Sequence, residues 1–83
     1  MDPNETWNQL LEAYYDSDSE RVIELSEAML RWLRRGGFGP GLVVGSPDGS
    51  TLVEMASSFD TRAISESVAR NLLADANKRI SAR

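Results

Sequence analysis

The chain contains no cysteine and no histidine. The first absence removes disulfides, thiolate metal sites and thiol nucleophiles. The second removes the commonest metal ligand and the commonest general base near neutral pH. Most hydrolytic and zinc-dependent chemistry is therefore excluded or left to rarer groups, and the expectation is a protein that is not an enzyme and holds no cofactor. Long apolar runs are missing too. No segment approaches the roughly 18 apolar residues of a membrane span, and the opening Met1-Asp2-Pro3-Asn4-Glu5 lacks the apolar centre of a signal peptide. No membrane association is expected, and the expected location is cytoplasmic.

What is present fits one small domain over residues 1–83. Hydrophobic residues make up 41% and charged residues 27%, which is ordinary globular usage and argues against wholesale disorder. A chain of this length buries only about 60–65% of its unfolded surface, so dimerisation is a reasonable way to add core. The net charge of −4 is unevenly spread. Residues 1–30 hold eight acids (Asp2, Glu5, Glu12, Asp16, Asp18, Glu20, Glu24, Glu27) against Arg21, a balance of −7. Residues 61–83 hold Arg62, Arg70, Lys78, Arg79 and Arg83 against Glu66 and Asp75, a balance of +3. That asymmetry suggests complementary ends, within one chain or between two, against the plainer reading of a solvated surface.

The stretch Glu20–Arg35 organises the rest. Val22, Leu25, Met29, Trp32 and Leu33 trace one face of a 3.6-residue period, and Ile23 and Leu30 widen it toward two sides. This helix is expected at the centre of the core, with Trp32 and Leu33 buried between helices. Ahead of it, Asp2 caps a helix over about 3–15, Pro3 suits its first position, and Trp7, Leu10, Leu11 and Tyr14 share a face. Asp16-Ser17-Asp18-Ser19 breaks that helix, and Ser17 with Glu20 reads as a capping box opening the second, over about 20–35. Two amphipathic helices joined so closely pack as an antiparallel hairpin. Gly36 can take the left-handed cap after Arg34 and Arg35, and Phe38 is expected to tuck back onto the helical hairpin.

Leu42-Val43-Val44 and Thr51-Leu52-Val53-Glu54-Met55 flank Ser46-Pro47-Asp48-Gly49, which has the residues of a type I turn. A β-hairpin of 42–45 with 51–55 follows. Helical spacing of Leu52, Met55, Ala56 and Phe59 behind a Thr51/Glu54 capping box is the rival reading. Asp60 then caps a long helix over about 61–80, whose Ile64, Val68, Leu72, Ala76 and Ile80 recur every four residues. The expected class is α+β, mostly helical.

Three patterns bear on chemistry. Asp16, Asp18, Glu20 and Glu27 fall at positions one, three, five and twelve of a calcium loop, but Arg21 stands where that loop needs glycine. Gly36-Gly37-Phe38-Gly39-Pro40-Gly41 follows a helix instead of preceding one and lacks the lysine of a phosphate loop, so it reads as a cap and turn. The C-terminal bases are interleaved with acids in a chain of pI near 4.6, which makes a nucleic-acid partner unlikely by composition.

From the central helix to Ile80, the order helix–strand–turn–strand–helix resembles the first half of a roadblock-type module, with Gly41–Met55 similar to its opening hairpin. The later strands that complete that family's sheet are absent. Such modules mostly act as dimeric adaptors, and the resemblance implies no more than that here. The expected function is a non-catalytic protein–protein interaction or adaptor module, with another protein or a second copy as partner. The alternatives are an acidic inhibitor, antitoxin or immunity-type protein, then a calcium-binding helical hairpin. Candidate interface residues are Tyr15, Trp32, Phe38, Val43, Val44, Phe59, Leu72 and Leu73.

Overall fold

A computed structural model describes the whole of Met1–Arg83. Its elements in chain order are α1 (Pro3–Tyr15), α2 (Ser19–Arg34), β1 (Leu42–Gly45), β2 (Thr51–Met55) and α3 (Arg62–Ser81). The class is α+β and mostly helical, and residues 51–55 are strand, which removes the helical alternative there. No helix is long and apolar enough to cross a membrane.

Local chemistry sets the helix ends. Asp2 accepts hydrogen bonds from the Asn4 and Glu5 amides at 3.0 and 3.3 Å and so caps α1. The turn into α2 is not the Ser17/Glu20 box. Ser17 adopts the left-handed conformation at φ 57°, its amide donates to Tyr14 O, and the Asp18 amide donates back to Ala13 O. Those two bonds close α1, and they leave Asp18 to cap α2 by accepting from Arg21 N at 3.2 Å. The same pair of closing bonds recurs at the end of α2, where Gly36 at φ 89° takes the left-handed position that the sequence assigned it. α3 starts one residue later than Asp60 would set. Thr61 occupies the cap without a side-chain cap bond, because its hydroxyl donates to Ser58 O.

α2 lies between α1 and α3 and buries Val22, Leu25, Ser26, Met29 and Leu33. Leu10 and Met29 are wholly inaccessible to solvent. The buried indole is Trp7, 5% exposed, whereas Trp32 is half-buried at the margin of α2. The Trp32 ring packs on the margin of the core and lies over Gly37, and its Nε1 donates to Phe38 O at 2.8 Å, so it also holds the link to the β-hairpin. In α3 the buried residues are Ser65, Ala69 and Ala76; Ala76 belongs to the expected row, while Ser65 and Ala69 lie one residue round from Ile64 and Val68. Small side chains there let α3 approach α2 closely, and Val68 and Leu72 pack from the flank.

The β-hairpin is fastened at its base. The Gly39 amide donates to Ser58 O at 2.8 Å, Ser57 Oγ donates to Gly39 O at 2.5 Å, and the Gly41 amide donates to Asn4 Oδ1 at 2.6 Å. Gly39 presses so closely on Thr61 and Arg62 that a Cβ would stand 2.8 Å from the Arg62 amide nitrogen. At the far end, Asp48 accepts from Ser46 Oγ and from the Ser50 amide and so ties the turn. The result is a flattened body of 37 × 36 × 18 Å.

Candidate interaction surface

The strands carry apolar side chains on both faces. Leu42 pairs with Met55, and Val44 with Val53. Residues paired in this way project to the same face of an antiparallel ladder. Leu42 is buried and Met55 packs on the core, so the first rung is covered by the helices. The second rung is not: Val44 and Val53 are 50% and 49% exposed on that same face. On the opposite face Val43 and Leu52 are each 64% exposed, beside Glu54. With only two strands, both outer edges of the sheet are also unpaired.

A groove of about 390 Å3 runs between β1, α1 and the first turns of α3. Trp7, Leu11 and Val68, buried or half-buried, form its floor, and Val43, Val44 and Ile64 stand exposed at its walls. Tyr15, 81% exposed, closes one end. Its lining residues bring few polar side-chain groups, the Asn8 amide, the phenol of exposed Tyr15 and the Trp7 indole N–H. Specific small-molecule sites bring several polar groups to bear on one point. This groove does not.

The total surface agrees with an uncovered element. The chain exposes 5391 Å2. A compact monomer of this mass exposes about 4,900 Å2.

Other candidate residues fall elsewhere. Phe38 does not lie back on the helical hairpin; its ring packs on Phe59, centroids 4.3 Å apart, and both remain half exposed. The guanidinium of Arg62 sits 5.7 Å over Phe59, and its Nη2 donates to Leu33 O at the end of α2. Leu72 packs against the core and Leu73 is half-buried. The four acids of the calcium-loop pattern are not brought together. Asp16 ends α1, Asp18 caps α2, Glu20 is bound by Arg83, and Glu27 lies further along α2. No group of three or more acids is placed to hold a metal ion.

The perturbed ionisations lie away from the groove. Hydrogen bonds from Ser46 Oγ, then Ser50, bring the Asp48 carboxyl down to about 2. The Arg83 guanidinium lowers the pKa of Glu20, and Glu20 raises that of Arg83 in return. All three groups are solvent-facing; Asp48 serves a turn, and Glu20 and Arg83 an ion pair.

Sequence reasoning placed Val43, Val44 and Tyr15 at this surface but passed over Leu52, Val53, Ile64 and the floor of the groove. The missed signal was in the strands. Six of their nine residues (Leu42, Val43, Val44, Leu52, Val53, Met55) are apolar, without the alternation of a sheet that has one wet face. Comparison of the chain with known protein families, with curated proteins and with solved structures finds no match.

Proposed function

We propose that this chain is a non-catalytic protein-interaction module that works by burying the hairpin and its groove against another polypeptide. One observation carries the reading: the strands are apolar on both faces, while the helices cover a single rung of one face. A two-stranded hairpin is marginal in water by itself, and apolar patches beyond a few hundred Å2 mark contact sites on soluble proteins. The groove's chemistry favours side chains over metabolites, since its lining is mostly aliphatic and aromatic and no charged group is among it. The element order shared with a roadblock-type module supports an adaptor role. The acidic α1–α2 end offers a second kind of contact, but exposed acids are common on any solvated surface and bury nothing apolar.

The test is the size of the assembly in cells. Tagged chain in extract of its source cells should elute well above its own 9.2 kDa. Replacing Leu52 and Val53 together by Lys should return it to monomer size with its circular dichroism unchanged. A wild-type chain that elutes as a bare monomer contradicts the reading.

A further inference from the structure

We propose that the polypeptide covering this surface is a second copy of the same chain, the hairpin of each copy lying in the groove of the other about a twofold axis. The inference rests on the interaction reading above and adds the identity of the partner and the mode of contact.

The patch is self-complementary in shape. A ridge, the hairpin beyond its first rung, stands directly beside a groove, and the two share Val43 and Val44. In an isologous contact the same patch is used twice, so a patch holding both a ridge and a neighbouring groove satisfies itself without a second kind of surface. Groove and ridge are alike in chemistry, the groove lined mostly by apolar side chains and the ridge offering Val44 and Val53 on one face and Val43 and Leu52 on the other.

The area is of the right size. Tyr15, Val43, Val44, Leu52, Val53 and Ile64 are each about half exposed or more. Taken at usual side-chain areas they present on the order of 700 Å2, close to the ~800 Å2 each partner buries in a standard interface.

The charges permit it. Within the hairpin ridge only Glu54 and the turn residue Asp48 are charged, and none of the groove's lining residues is. Two copies can therefore bring these faces together without burying many like charges, and apolar area dominates the contact. Salt screens exposed charge pairs and leaves apolar burial intact, so the dimer should persist in roughly half-molar salt.

Because the chain has no cysteine, introduced thiols report on this contact alone. Purified full-length chain at about 100 micromolar should scatter light as a dimer, and L52K/V53K should raise the dissociation constant by about 100-fold or more. Ile64→Lys, on α3 and outside the hairpin, should do the same and serves if the hairpin variant fails to fold. Mixing V44C with a differently tagged I64C under mild oxidation should give the mixed disulfide. V44C with E24C, on the outer face of α2, should not. A wild-type monomer at that concentration overturns the inference. The interaction reading then survives only if the chain still runs large in cell extract, with a different protein as occupant. A dimer indifferent to both L52K/V53K and Ile64→Lys, or one giving the V44C–E24C bridge preferentially, overturns the proposed mode as well.

Discussion

The helices and the β-hairpin handle apolar residues in opposite ways. α1 and α2 gather most of theirs toward one side, α3 meets them with small residues, and the three helices close around Leu10, Met29 and Ala69, which solvent does not reach. The strands spread theirs over both faces and past the end of the helical body, where Val43, Val44, Leu52 and Val53 stand half exposed or more. The base of the hairpin is nevertheless fixed firmly, through Gly39, Gly41, Ser57 and Asn4. A one-sided element can be finished by its own chain. A two-sided strand pair held rigidly in water calls for a second body.

Substitutions should separate the two regions sharply. Trp7→Ala removes the indole that both fills the core and floors the groove, and should cost about 3–5 kcal/mol in urea unfolding. A small domain has little more than that to lose. Gly39→Ala strikes the junction. Its Cβ meets the backbone of Arg62, which cannot turn aside as a side chain can, and about 1–3 kcal/mol should be lost. In contrast, Ser17→Gly should stabilise by about 0.5–1 kcal/mol, because glycine adopts the left-handed conformation at φ 57° without the strain serine bears.

Acid should loosen the hairpin before the helices. The Asp48 carboxyl, held near 2 against its ordinary 3.8, binds protons less readily folded than unfolded. Its contribution is therefore fully present above pH 3.8 and is lost as pH falls toward about 2. Amide shifts of Ser46, Asp48, Gly49 and Ser50 should move across that window, and Asp48→Asn should abolish the movement. Smallest of all should be Glu20→Gln. It breaks the pair with Arg83, but both side chains are more than half exposed, and the melting temperature should change by no more than about two degrees.

Much of this architecture is legible in the sequence because its causes are local. Asp2 and Pro3 start α1, Gly36 ends α2, and Ser46-Pro47-Asp48-Gly49 joins the strands through contacts within a few residues. Where two local motifs or distant parts compete, a single local signal misleads. Ser17 and Glu20 spell a capping box, yet closure of α1 onto Ala13 and Tyr14 draws Ser17 away and hands the cap to Asp18. Trp7 and Trp32 each sit on an apolar stripe, and only the packing of α1 across α2 decides which indole goes inside. The aliphatic row of α3 reads as its core face, and Ala76 of that row is buried, but close approach to α2 puts Ser65 and Ala69 on the contact line in place of Ile64 and Val68. Phe38, ahead of β1, and Phe59, after β2, meet at the open end of the hairpin, a pairing no short-range pattern encodes. The groove is legible least, since α1, β1 and α3 must all be in place before it exists.

Hydrogen exchange across a concentration series tests most directly the claim that the helices are complete and the hairpin is not. From about 1 to 300 micromolar, spanning a micromolar-range association, the amides of Leu42–Gly45 and Thr51–Met55 should exchange progressively more slowly. Those of Val22–Leu33 in α2 should stay equally protected throughout. Hairpin exchange that does not depend on concentration, with protection matching that of α2 at the lowest value, would contradict it.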